Sequence, residues 1–178
     1  MSIPVRAQDR EHFSIVQDSL ARDGLHVAMC GRDQARLQGY GIALARELGG
    51  ADGLRVEAYD ARRLESVIVD LMLQPFDAAL SDLTRPQLSG SQTGGRRPGC
   101  VMFIPDAHAL PRAEFMQLVR VAAATRKHAL LLVGLFDSAH PCSDERITMM
   151  GTRVARWDLD DTTASAETET IKARWPFS

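Results

Sequence analysis

Apolar and polar positions follow two rhythms along this chain, and both are clearest between Cys100 and Phe136. Val101, Met102, Phe103 and Ile104 form an uninterrupted apolar run that ends at Pro105-Asp106, and Leu130 to Val133 form a second that ends at Gly134. Between them Phe115, Leu118, Val119 and Ala122 recur at helical spacing, the pattern of a helix covering a sheet. Two such strands joined by a helix predict a parallel sheet buried on both faces.

The rest of the chain extends this unit. Phe13, Val16 and Leu20 predict a helix from Asp9 to Ala21, stopped by Asp23-Gly24, and LHVAMC from Leu25 to Cys30 predicts a short strand. Gly31-Arg32-Asp33 then turns the chain into a second helix striped by Leu37, Gly41, Leu44 and Leu48 and ended by Gly49-Gly50. Gly41 within that stripe predicts a close approach of helix to sheet, because glycine otherwise costs a helix about 1 kcal/mol relative to alanine. Alternation from Leu54 to Tyr59 predicts an edge strand. Leu64, Val67, Ile68, Leu71 and Met72 predict a helix that Pro75 breaks, with Phe76, Ala79, Leu80 and Leu83 forming a second piece. Thr84 to Gly99 is almost devoid of apolar residues and reads as a flexible loop. Phe136 to Met150 reads as irregular, with Pro141 and Ser143-Asp144 as cap chemistry, and Thr152 to Leu159 as a last strand on the opposite edge. The expected architecture is one α/β domain over residues 1–159, a three-layer parallel sheet of about five strands with helices on both faces. A polar tail, 160–178, follows it and ends in Trp175, Pro176 and Phe177.

Composition narrows the function classes. A formal net charge of −2 argues against a whole-molecule nucleic-acid binder. Cys30, Cys100 and Cys142 are odd in number and widely spaced, so they read as core thiols of a reducing compartment and not as a disulfide framework. No CxxC or HxxxH spacing offers a metal site, and no metal or cofactor is expected. No run of about 18 apolar residues predicts a membrane span, and the N-terminus lacks a signal-peptide pattern. A cytoplasmic protein without membrane insertion is the expectation. Arg96-Arg97 in the loop and the Trp175–Phe177 end are the candidate partner-binding positions.

The order of elements, with four local likenesses, resembles the AAA-type P-loop ATPases of the general secretion pathway A-protein kind. The likenesses are Glu11-His12-Phe13 running through Leu25 into the first strand, FIPDAHAL from Phe103 to Leu110, Leu132-Val133-Gly134 in the next strand, and Glu145-Arg146-Ile147 leading to Trp157-Asp158-Leu159. Together they cover roughly residues 10–160. The resemblance implies a P-loop NTPase fold and bacterial envelope or secretion machinery as the setting. A flavodoxin- or receiver-like doubly wound sheet is the alternative fold.

The chemistry that the resemblance implies is eroded in this chain. A GxxxxGK[ST] loop cradles phosphate with glycine backbone, lysine and a magnesium-binding hydroxyl. Starting at Gly31, the matching positions hold Arg36, Leu37 and Gln38. In the acidic motif Pro105 stands at the magnesium-orienting carboxylate and Asp106 at the water-activating one. Asp106 is then expected to cap the following turn, and His108 to pack or bond locally. Leu135 and Phe136 stand where a polar sensor is usual, and the polar tail is too short for the helical lid of the resembled enzymes. The expected function is that of a non-catalytic adaptor or regulator that binds another protein within a larger bacterial assembly, with self-association left open. Two alternatives remain at this level. One is an atypical nucleotide-binding switch or NTPase using Gly31, Arg32, Arg36 and Asp106. The other is a DNA-associated accessory protein.

Overall fold

The computed structural model describes residues 4–84, 99–125 and 129–160, with backbone alone over 74–84. Among the described residues five strands, β1 (His26–Gly31), β2 (Val56–Ala58), β3 (Cys100–Ile104), β4 (Leu130–Asp137) and β5 (Val154–Asp158), alternate with helices. The helices are α1 (Arg10–Ala21), α2 (Gln34–Gly50), α3 (Ala61–Thr84), α4 (Arg112–Ala124) and α5 (Ser143–Met149). Every strand pair is parallel and the order across the sheet is β2-β3-β4-β1-β5. The two strands of mixed polarity form the two edges, and the apolar runs lie inside. This order differs from the 2-1-3-4-5 order of a flavodoxin-like sheet.

Period-two alternation divides the strands between two cores. Val27, Met29, Val101, Phe103, Leu131, Val133, Leu135, Ala155 and Trp157 face one layer, which α1 and α2 cover with Val16, Leu20, Leu37, Tyr40, Leu44 and Leu48. Ala28, Cys30, Cys100, Met102, Ile104, Leu130, Leu132 and Phe136 face the other, covered by Val67 and Leu71 of α3 and by Phe115, Leu118 and Ala122 of α4. Gly41 lies where α2 meets the sheet: a Cβ there would come within 2.8 Å of Leu135 Cδ1. The close approach expected from its place in the stripe is present.

Two local expectations are corrected. Pro75 does not break the third helix, which runs from Ala61 to Thr84 without interruption. A single proline removes one N–H···O bond, and the neighbouring turns carry the element across the gap. The stretch after Phe136 is not irregular either: it completes β4 and then forms α5. That helix has seven residues, and its buried positions are Ser143 and Arg146, so no apolar repeat marks it in the sequence. Its N-cap is Cys142, with no capping hydrogen bond from a side chain.

Candidate functional site

The two layers fix where a site can lie. β1 leads into α2 on one face of the sheet, and β4, its neighbour, leads towards α5 on the other. Gly31 and Asp137, the last residues of these strands, are in register. In open parallel sheets, ligands bind outside the carboxyl ends of strands at such a switch point.

Here the position is occupied by the chain's own groups. The β1–α2 turn consists of Arg32 and Asp33 alone, and Asp33 caps α2 by accepting from the Arg36 amide at 3.1 Å. The Arg32 amide donates to Asp160 Oδ1 at 2.9 Å, and the Ser138 hydroxyl donates to Asp160 Oδ2 at 2.5 Å. Ser138 also joins its amide to the Gly31 carbonyl at 3.2 Å. Partial burial works against the charge on Asp160. The Arg32 amide, the Ser138 hydroxyl and the nearby Arg32 and Arg36 charges outweigh it, holding the carboxyl below the usual range. A carboxylate thus takes up the Arg32 amide in the turn that leads into α2.

Beside this clasp, Arg36 is held on two sides. Its Nη1 donates to the Leu159 carbonyl at 2.9 Å and its Nη2 to Asp9 Oδ2 at 2.7 Å. The Tyr40 hydroxyl donates to the same Asp9 oxygen at 2.6 Å and accepts from the Arg6 amide at 3.0 Å. The Arg36 guanidinium lies 5.3 Å from the Tyr40 ring centroid. Leu37 is fully buried in the core. Gln38 reaches across the sheet end and donates from Nε2 to the Pro105 carbonyl at 2.7 Å.

The turn after β3 completes the rim. The Ala107 amide bonds to the Leu135 carbonyl at 3.1 Å, and His108 Nδ1 accepts from the Asp137 amide at 3.1 Å. His140 Nδ1 accepts from the Cys142 amide at 3.2 Å, and the two imidazoles stand 5.0 Å apart, centroid to centroid. Asp106 is exposed, and its turn is closed by the Ala109 amide donating to the Asp106 backbone carbonyl. It caps no helix, since Pro111 precedes α4. Arg146 is 5% exposed, donates from Nη2 to the Leu110 carbonyl at 3.2 Å and lies 5.9 Å from the Phe115 centroid.

Of the candidate site residues, Gly31, Arg32 and Arg36 are brought together around Asp160, and Asp106 stands apart on the β3 turn. Arg96, Arg97, Trp175 and Phe177 lie outside the described residues. Sequence reasoning missed Asp160, read as the first residue of a tail, and it missed Asp9 and the Gln38–Pro105 contact. Each belongs to a pairing across many residues that no local pattern announces. Among the described residues no group of three His, Cys, Asp or Glu side chains could hold a metal ion. Burial pushes the Cys30 thiol up to about 12 and the Cys100 thiol to about 11, values of inert core cysteines.

Among the described residues, no helix is long and apolar enough to cross a membrane. No protein-family model matches the chain, and no curated protein matches it. Among solved structures, it is similar to a chain in the structure of Drosophila ORC bound to GC-rich DNA and Cdc6. The two are 12% identical with a TM-score of 0.48, over 95% of this chain and 31% of that one. The chain therefore spans under a third of the length of that solved chain.

Proposed function

We propose that this chain is a P-loop-type α/β domain that has exchanged nucleotide chemistry for protein binding, and that it works as a non-catalytic adaptor or regulator. The observation that carries the reading is the 2.7 Å hydrogen bond from Gln38 to the Pro105 carbonyl. In the resembled ATPases these two positions hold a hydroxyl and a carboxylate that share a magnesium ion; here they bond directly to each other. The Asp160 carboxylate on the Arg32 amide supports the same reading, because it engages a backbone donor in the stretch that matches the phosphate loop. Arg36, at a glycine position of the phosphate loop, is engaged with Asp9 and Leu159.

A surface for a partner is supported by α3. Val67 and Leu71 face the sheet, yet Val69, Met72 and Leu73 on other sides of the helix are 47%, 67% and 51% exposed. A helix apolar on more than one side belongs in an interface more often than in water. The setting that the resemblance suggests is a bacterial secretion or envelope assembly.

Two measurements test the reading. Calorimetry with magnesium ATP and magnesium GTP should detect no binding tighter than about 100 μM, roughly −5.5 kcal/mol. Tighter binding that Arg36→Ala abolishes would overturn it. Capture from the native cell, with the wild type and with Met72→Asp/Leu73→Asp as baits, should yield a defined protein that the second bait loses. Identical captures from the two baits would remove α3 from the proposal.

A further inference from the structure

Two of the chain's five histidines stand on facing loops at the carboxyl end of the sheet, and both are used in the same way. His108 Nδ1 accepts the Asp137 amide and His140 Nδ1 accepts the Cys142 amide, at 3.1 and 3.2 Å. An imidazole nitrogen accepts a hydrogen bond only while it carries no proton, so both bonds require the neutral ring with its hydrogen on Nε2. The rings are 5.0 Å apart, and charging both would set like charges side by side while cancelling two acceptors.

The bonds they make are strategic. Asp137 is the last residue of β4, and its carbonyl accepts from the His140 amide and the Ser143 hydroxyl. The next residue, Ser138, holds both Gly31 and Asp160. The corner between β4 and α5 therefore depends on His108 from one side and on His140 from within. We propose that the His108–His140 pair is a pH-sensitive latch: neutral rings fix the β4–α5 corner against the β1–α2 turn, and protonation releases it.

Most of the charged groups near the pair are engaged with other partners. The Asp137 carboxylate is already engaged with the Ala139 amide, Arg112 is paired with Glu145, and Asp160 is taken by Arg32 and Ser138. Asp106 is exposed on the same turn, and Arg146 points to the Leu110 carbonyl. None of these carboxylates makes a hydrogen bond to either imidazole among the described residues.

Amide hydrogen exchange on the full chain, corrected for intrinsic pH dependence, reads the latch directly. Between pH 7.5 and 5.0 the protection of the Asp137 and Cys142 amides should fall by about five- to tenfold, the loss of one ordinary hydrogen bond each. The Leu118 amide in α4 is the reference. Asparagine places an uncharged acceptor near the position of Nδ1, so His108→Asn/His140→Asn should hold the same protection at both pH values. Circular dichroism confirms folding, and His140→Asn alone serves if the double variant does not fold. Unchanged protection in the wild type at pH 5.0, or an equal fall in the asparagine variants, would overturn the proposal.

Discussion

Asp9→Ala is the perturbation that most directly asks whether Arg36 is architecture or a vacant ligand-binding group. One Asp9 oxygen receives the Arg36 guanidinium at 2.7 Å and the Tyr40 hydroxyl at 2.6 Å. Only 12% of the Arg36 side chain and 14% of that of Asp9 meet solvent. Both bonds are to a carboxylate, and a hydrogen bond to a charged group contributes about 1.5–3 kcal/mol. Water reaching the site recovers part of that, and the Leu159 carbonyl still holds Arg36, so the expected loss is about 3 kcal/mol. With a urea slope of about 2 kcal/mol/M, the midpoint should fall by roughly 1.5 M. Circular dichroism at 222 nm gives the transition. Asp9→Leu/Arg36→Met removes both charges and should recover at least half of the loss, because an apolar pair of similar volume carries no desolvation penalty. A fall of less than about 0.5 M for Asp9→Ala would refute the reasoning, since it would mean that Arg36 gains little from this pairing.

Burial, and then the charge of Arg153, bring the His26 imidazole down to about 4, and its Nδ1 accepts the Leu132 amide at 3.0 Å. Its folded value lies below its unfolded one, so the unfolded chain takes up the proton first as pH falls. Stability from this group is complete above pH 6.5 and is lost progressively toward pH 4, by about 2 kcal/mol at pH 5. Urea midpoints at pH 7.5 and 5.0 should differ less in His26→Asn than in the wild type. Phe115→Ala empties a fully buried position that also meets Phe136 edge to face at 6.3 Å, and should cost about 3–5 kcal/mol by the same urea assay. Asp106→Asn, on an exposed turn, should shift stability by less than about 0.5 kcal/mol. A thiol reagent should label Cys142 quickly in the native chain and reach Cys30 and Cys100 only after denaturant is added.

The sheet was readable from the sequence because its signal is local. Val101 to Ile104 and Leu130 to Val133 are apolar on both faces, and the helix between them repeats at the right interval, so strand, helix and parallel direction follow together. The edge assignments came from the alternating polarity of Leu54 to Tyr59 and the mixed polarity of Thr152 to Leu159. What escaped notice had no local signal. The buried positions of α5 are a serine and an arginine. The continuity of α3 through Pro75 rests on the turns to either side of it. The site was legible only as a set of losses: Leu37, Gln38 and Pro105 at positions where other chemistry was expected. That Gln38 and Pro105 bond to each other, 67 residues apart, or that Asp160 lies on the Arg32 amide, 128 residues away, follows only from the folded geometry.

The position of β1 also has a consequence for synthesis. As the first of the described strands, it lies between β4 and β5, the last two of them, with Val27 opposite Val133 on one side and Ala155 on the other. Neither of its edges can pair until nearly the whole described chain has left the ribosome. Until then Val27 and Met29, both fully buried in the finished fold, have only α1 and α2 to cover them. Parallel pairings across such separations form slowly and leave strand edges open meanwhile. The nascent α1–β1–α2 segment is thus most exposed to aggregation until β4 and β5 have been made, and a chaperone that shields it over that interval should raise the yield of folded chain.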